Sequence, residues 1–153
     1  IDVLPEAGAW PALDELVALA RDAVDAALSE AGSVATQPVE LSLVFTDDAH
    51  MRSLNAQWRD KDRPTNVLSF PAFPTQVGDK LPPMLGDVIL AWETVSAEAA
   101  LESKPLSHHI SHLIVHGVLH LIGYDHEDEA EAEAMEAAER RALARLAIPD
   151  PYA

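Results

Sequence analysis

The stretch HGVLHLIGYDH, from His116 to His126, constrains the fold of this chain more than any other. A helix predicted over Ser107–Leu121 carries His116 and His120, which lie one turn apart on the same face because they are four residues apart. Gly123 favours the left-handed conformation that ends a helix and reverses the chain. The reversal brings His126 back toward the first two imidazoles, so the sequence predicts a three-histidine cluster at a helix end.

This cluster is a candidate metal site. Three neutral imidazoles leave one position of a tetrahedral zinc ion open, as in catalytic rather than structural sites. The chain has no cysteine, so a metal must bind nitrogen and oxygen ligands, and three histidines also accept nickel or copper. The same spacing occurs in one class of zinc peptidases, in which a glutamate follows the first histidine as general base. Gly117 stands at that position here, which disfavours a peptidase.

Four neighbouring residues are weaker candidates. His112 and His108 continue the four-residue stripe toward the start of the helix, and we expect them to be partly buried or to support the ligands rather than to bind the ion. Asp125 either fixes the tautomer of a histidine or closes the turn. Asp87 either orients a ligand histidine or bonds to the backbone at the start of its strand.

The whole pattern predicts a single α+β domain over residues 1–153, with a small mixed sheet of about four strands packed with helices and the metal site at a helix end. The predicted strands are Ile1–Leu4 on a sheet edge, Val39–Thr46, Asn66–Phe70 and Gly86–Trp92. The predicted helices are Pro11–Gly32, a short one capped by Thr46 or Asp47 and running through Trp58, Thr94–Ser103, Ser107–Leu121 and Glu127–Leu146. The segment PAFPTQVGDKLPPM predicts a long loop beside the site.

The formal net charge of -16, taken alone, argues against a nucleic-acid partner, because phosphate binding needs clusters of Lys and Arg. The charge is uneven, however, since seven acidic residues fall between Glu127 and Glu139. Four of the ten basic residues lie close together in the sequence: Arg52, Arg59, Lys61 and Arg63. A local basic patch is therefore expected within an acidic protein.

The absence of cysteine fits a reducing cytoplasm, which is the predicted location. The most apolar run is interrupted by histidines and stays well below the roughly 18 apolar residues of a membrane span, so no membrane partner is expected. The sequence begins with Ile1 rather than methionine, which leaves open a targeting segment before it.

The chain resembles the YbeY family of bacterial endoribonucleases, the rRNA maturation factors, in three motifs that occur in the same order: WRDKDRPTNVLSFP, LGDVILAWETV and HGVLHLIGYDH. These motifs extend from Trp58 to His126 and are more specific than the three histidines alone. The resemblance implies one zinc ion on His116, His120 and His126, and hydrolysis of single-stranded RNA. It also implies 3′-end maturation of small-subunit (16S) ribosomal RNA and ribosome quality control, with small-subunit proteins and assembly factors as partners.

The resemblance assigns the family's functionally important arginine to Arg59, as a catalytic residue. A planar guanidinium suits phosphodiester hydrolysis, because negative charge builds on the non-bridging oxygens. Without the resemblance, a solvated loop arginine paired with Asp60 or Asp62 is the simpler interpretation. Asp60 stands where the family commonly has a glycine, a departure that could alter the path of the loop but leaves Arg59 in place.

The rest of this segment has less specific signals. Lys61 and Arg63 are candidates for following the RNA backbone. Thr65 and Asn66 are expected to shape the loop through side-chain to backbone hydrogen bonds.

A second hypothesis is a non-catalytic ribosome assembly module that uses a structural metal and binds RNA or a small-subunit protein. The net charge favours it, since an acidic protein binds free RNA weakly and must gain specificity from protein contacts. Metal-dependent cleavage of RNA by the purified chain separates the two hypotheses.

Overall fold

The structure is a computed structural model that describes residues 1–34 and 38–153, and this part of the chain forms four strands and five α-helices. The strands are β1 (Asp2–Pro5), β2 (Glu40–Thr46), β3 (Val67–Pro71) and β4 (Met84–Ala91). The helices are α1 (Leu13–Leu28), α2 (Asp48–Arg59), α3 (Trp92–Leu101), α4 (Leu106–Leu121) and α5 (Glu129–Arg145). Each of these helices is too short or too polar to cross a lipid bilayer.

The strands form one sheet in the order β1-β2-β4-β3. Strands β1, β2 and β4 are parallel, whereas β3 runs antiparallel to β4. The prediction of a small mixed sheet with about four strands and packed helices is confirmed, and β1 lies at a sheet edge as expected. Strand β3 forms the opposite edge, where the long loop leaves it.

The two faces of the sheet bury different helices. In β2, Leu41, Leu43 and Phe45 belong to the main core beneath α1, α4 and α5, because alternate residues of a strand point to the same face. Val44 points the other way and packs in a smaller cluster with Met51 of α2. The sheet therefore separates α4, which carries the histidines, from α2, which ends at Arg59.

Helix α1 is shorter than predicted at both ends. It begins at Leu13 rather than Pro11, because the extended residue Ala12 supplies the first carbonyl, which accepts a hydrogen bond from the Leu16 amide at 2.9 Å. It ends at Leu28, four residues before the predicted end at Gly32. The chain continues as a tighter 3₁₀ helix over Ser29–Val34.

Helix α3 begins two residues earlier than predicted, so Trp92 is its first residue and not the end of β4. No local capping residue marks this start. The cap comes instead from α2: the carboxylate of Asp48 accepts hydrogen bonds from the amide and hydroxyl of Thr94, at 3.1 and 2.8 Å. A cap supplied by a residue 46 positions away leaves no local sequence signal.

Two other helices have local caps. The Asp47 side chain accepts a hydrogen bond from the His50 amide at 2.8 Å, so Asp47 rather than Thr46 caps α2. Asp128 caps α5 by accepting from the Glu131 amide at 2.8 Å, which moves the start of that helix two residues beyond the predicted one.

Candidate active site

Helix α4 ends in a turn that the sequence encodes locally. Gly123 has φ +111°, and its amide donates to the His120 carbonyl at 3.2 Å, while the Tyr124 amide donates to the Leu119 carbonyl at 3.0 Å. This pair of bonds is a Schellman motif, in which glycine takes the conformation that other residues resist. The turn directs the chain back along the end of α4 toward His126.

The turn brings the three histidines together. One ring nitrogen from each of His116, His120 and His126 lies within 4.8 Å of the others, and the Nε2 atoms of His116 and His120 are 3.2 Å apart. Nitrogens bound to one tetrahedral zinc ion, each at about 2.0–2.1 Å from it, lie roughly 3.4 Å apart. The cluster is therefore a candidate three-nitrogen metal site at the end of α4.

A buried carboxylate from α5 supports this cluster. Glu139 is 1% exposed, and its Oε1 accepts hydrogen bonds from His116 Nδ1 and His112 Nε2, both at 2.9 Å. Because a carboxylate only accepts, His116 carries its proton on Nδ1 and presents a bare Nε2 to the cluster. Glu139 thus fixes the tautomer and the ring orientation that a metal ligand needs.

Two pKa shifts agree with this arrangement. Burial alone would raise the pKa of Glu139, but the hydrogen bonds from His112 and His116 outweigh it and lower the pKa to about 2. Burial, with the nearby rings of His116 and His126, lowers the pKa of His120 to about 4. Near neutral pH the carboxylate is therefore charged and His120 is neutral, which is the form that binds a metal.

The cluster opens into a groove of about 1120 Å³ that runs along the edge strand β3. The three histidines line one part of it, and Arg59, Lys61 and Arg63 line another. Asp62, one candidate partner of Arg59, instead binds Arg52 at 2.8 Å. Among the described residues, no carboxylate forms an ion pair with Arg59, so its guanidinium is available to a ligand in the groove.

Comparisons with known proteins show the family to which the chain belongs. The model of the family "Endoribonuclease YbeY" matches residues 10–147. An Endoribonuclease YbeY of Azorhizobium caulinodans is 55% identical over 153 residues, covering 100% of this chain and 96% of the relative. That of Sinorhizobium fredii is 51% identical over 157 residues, covering 99% and 91%. The chain belongs to the YbeY family. It is therefore an endoribonuclease, and this membership supports a role in ribosomal RNA maturation.

A solved structure agrees on the fold. The solution structure of TM1509 from Thermotoga maritima has a TM-score of 0.57 with this chain and covers 95% of it, with 91% of its own length matched. The two sequences are 22% identical, so this likeness supports the shared fold alone.

In this YbeY-family chain, Gly117 is a packing residue. A Cβ atom on Gly117 would lie 2.5 Å from Cγ1 of Val88 and 3.2 Å from the Ser69 hydroxyl, which donates to the Gly117 carbonyl at 3.0 Å. The position after the first histidine therefore faces the sheet rather than the metal cluster. A side chain at this position would clash with Val88, which adds a structural reason against a peptidase that needs a glutamate there.

The basic loop of the YbeY-family motif is held by Asn55, which sequence reasoning missed. Asn55 is 3% exposed; its carbonyl accepts from the amides of Asp60 and Lys61, and its side chain donates to the Arg63 carbonyl at 2.8 Å. Asp60 has φ +55°, the left-handed conformation that glycine prefers, so the loop follows a glycine-like path despite the aspartate. Helical spacing from buried Met51 identifies Asn55 as inward-facing.

Three of the weaker candidates, two histidines and an aspartate, lie where the sequence analysis allows. His112 is partly buried and shares Glu139 with His116, as expected of a supporting residue, and His108 is partly buried outside the groove. Asp125 accepts from the amide of His126 at 2.8 Å, so its carboxylate acts on the turn.

The prediction for Asn66 needs correction, and Asp87 lies away from the cluster. Asn66 shapes its loop through a side chain rather than the backbone, since its amide donates to Glu98 at 3.0 Å. Asp87 is exposed, and its neighbour Val88 points toward α4, so Asp87 points to the opposite face of the sheet and orients no ligand histidine.

Glu139 is the other functional residue that sequence reasoning missed. It is one of seven acidic residues between Glu127 and Glu139, and composition alone does not distinguish it from those on the exposed face of the helix. Its helical spacing from the buried residues Met135, Ala142 and Leu143 is the signal that singles it out, because these positions share one face of α5.

Proposed function

We propose that this chain is a zinc-dependent endoribonuclease that cleaves single-stranded RNA at the 3′ end of small-subunit (16S) ribosomal RNA and acts in ribosome quality control. In this proposal His116, His120 and His126 hold the zinc ion, and Arg59 is the catalytic arginine. The observation that supports it most is the shared groove, in which the three-histidine cluster and the Arg59 side chain line one continuous space.

The donor set fits zinc. Three imidazole nitrogens, one fixed in tautomer by Glu139, match the ligands of catalytic rather than structural zinc sites. When bound there, a zinc ion supplies Lewis acidity toward a phosphoryl oxygen and lowers the pKa of a coordinated water.

Arg59 supplies a separate contribution. Its planar guanidinium presents paired N–H donors that match two oxygens of a phosphodiester, and negative charge increases on those oxygens as the bond breaks. Because Asp62 is occupied by Arg52, Arg59 does not have to give up a carboxylate partner to bind RNA. Lys61 and Arg63, which line the same groove, are proposed to bind neighbouring phosphates along the strand.

The charge distribution supports protein partners on the small subunit. The basic residues that line the groove come from one segment of a chain with net charge -16, while Asp79, Asp125 and Glu127 also line it. Free RNA is therefore bound weakly, and we propose that small-subunit proteins and assembly factors contribute the remaining affinity. In this proposal the chain still cleaves RNA, whereas the non-catalytic assembly module of the second hypothesis does not.

The first experiment tests the metal site through cleavage. A single-stranded RNA carrying the small-subunit 3′ end is incubated with wild type, His116→Ala and His108→Ala, all purified identically without a tag, and bound zinc is measured in each. Wild type and His108→Ala are expected to contain zinc and cleave, whereas His116→Ala does neither. His108 is the matched control because it lies on the same helix but outside the groove. Equal cleavage by wild type and His116→Ala refutes the proposal.

The second experiment tests Arg59. Arg59→Ala is expected to retain zinc and fold but to cleave roughly 10²–10³ times more slowly, the usual effect of removing one group that stabilises transition-state charge. Arg21→Ala, an exposed arginine on α1 that does not line the groove, is the control and is expected to cleave at the wild-type rate. A wild-type rate for Arg59→Ala removes it from the mechanism.

A further inference from the structure

We propose that Tyr152, in the tail that follows α5 (residues 146–153), is a positioning residue of the metal site that acts through Glu139. This inference rests on the proposed zinc site. The Tyr152 hydroxyl donates to Glu139 Oε2 at 2.7 Å, and the other oxygen of the same carboxylate accepts from His116 and His112. A chain of three side chains therefore connects the C-terminal tail to a metal ligand.

The two oxygens of Glu139 have different partners. Oε1 accepts two imidazole N–H groups, and Oε2 accepts the tyrosine hydroxyl, so both ends of a carboxylate that is 1% exposed are occupied. Without the hydroxyl, Oε2 would lose its hydrogen bond in a buried position. The carboxylate would then rotate or admit water to regain one, and either change alters the direction from which Oε1 meets His116.

Tyr152 is held in place by contacts that do not involve the metal cluster. Its amide donates to Asp150 Oδ1 at 2.8 Å, and the other oxygen of that carboxylate binds Arg140 of α5 at 2.9 Å. The Arg140 guanidinium also lies 5.7 Å from the centre of the tyrosine ring. The ring meets His112 edge to face at 5.7 Å. These contacts with α4 and α5 hold the Tyr152 hydroxyl against Glu139.

Removing only the hydroxyl is expected to weaken metal binding. Tyr152→Phe keeps the ring contacts with His112 and Arg140 and loses the bond to Glu139. Replacing a group bonded directly to a ligand histidine usually costs about 10- to 100-fold in metal affinity, and Tyr152 is one bond further away, so the expected loss is roughly 3- to 10-fold.

The experiment measures metal affinity without RNA. Zinc dissociation constants are determined by chelator competition for full-length wild type, Tyr152→Phe, Tyr152→Leu and Glu139→Gln, and visible spectra are recorded with cobalt(II) in place of zinc. We expect both Tyr152 variants to bind zinc more weakly and to shift the cobalt bands in the direction of the Glu139→Gln change. A purely structural role in holding the tail leaves the affinity of Tyr152→Phe and its cobalt spectrum unchanged.

Two outcomes overturn the inference. One is a Tyr152→Phe protein whose zinc affinity and cobalt spectrum equal those of wild type while Glu139→Gln differs from it. The other is a loss confined to Tyr152→Leu, which assigns the effect to ring packing rather than to the hydroxyl. Failure of the zinc proposal itself is seen separately, because wild type would then bind no zinc in the same titration.

Discussion

Replacing Gly117 by alanine tests how closely α4 packs on the sheet. Helix propensity alone predicts that alanine stabilises a helix interior by about 1 kcal/mol relative to glycine. The structure predicts the opposite sign, because the added Cβ lies 2.5 Å from Cγ1 of Val88. Val88 is fully buried and β-branched, so its methyl groups are stiff at χ1 and are surrounded by other core atoms.

The size of the effect follows from these two contributions. Overpacking a core by one methyl group costs about 1–3 kcal/mol, and the propensity gain offsets about 1 kcal/mol of it, so a net loss of about 1 kcal/mol is expected. Val88→Ala removes the clashing methyl groups. In that background Gly117→Ala is expected to stabilise by about 1 kcal/mol, which makes the coupling between the two positions about 2 kcal/mol.

Urea unfolding of the four metal-free proteins (wild type, both single variants and the double variant) measures this coupling. A stabilised Gly117→Ala single variant, or a coupling near zero, would refute the close approach of α4 to β4. The result bears on the site, because an α4 pushed away from the sheet carries His116 and His120 with it. A loss of zinc affinity in Gly117→Ala that is restored in the double variant is expected for the same reason.

Three further substitutions test the loops that hold the site. Gly123→Ala is expected to destabilise by more than about 1 kcal/mol and to weaken zinc binding, because φ is +111° and the new Cβ would lie 2.5 Å from the Gln76 backbone; normal stability and affinity would contradict this. Asp60→Gly should raise the free energy of unfolding by about 0.5 kcal/mol in urea titrations, since it relieves a left-handed aspartate; a decrease argues against strain there. Asn55→Ala should cost about 1–3 kcal/mol and slow RNA cleavage, because the Arg63 carbonyl loses its donor; an unchanged cleavage rate separates the loop from catalysis.

The parts of the fold that the sequence predicts are those with local signals. Gly123 ends α4 and returns the chain to His126 through bonds within six residues, so residue spacing is enough to predict the cluster. Alternation in β2 likewise identifies its buried face. The start of α3 was missed because its cap, Asp48, comes from another helix.

The supporting residues of the site depend on packing between distant segments. Glu139 lies 23 residues from His116 in sequence, and Asn55 binds a carbonyl eight residues away across a helix end. Neither residue type is unusual for its segment, and only the burial of one face of each helix distinguishes them. For Asp87 the sequence left open a role in orienting a ligand histidine, and strand alternation excludes it because the side chain points to the opposite face of the sheet.

Because the chain is synthesised from its N-terminal end, the three histidines are made before Tyr152, whose hydroxyl donates to Glu139. His126 precedes Tyr152 by 26 positions, and Glu139 lies between them. At translation rates of about 5–20 residues per second, all three histidines are made about 1–5 s before the tyrosine hydroxyl that completes the hydrogen bonds of Glu139. A chain synthesised only as far as residue 151 therefore contains the three histidines and Glu139 but lacks the hydrogen bond from the Tyr152 hydroxyl. Under the proposed role of Tyr152, a variant that ends at Pro151 is expected to bind zinc more weakly than the chain that includes Tyr152, because Glu139 Oε2 then lacks its hydrogen bond.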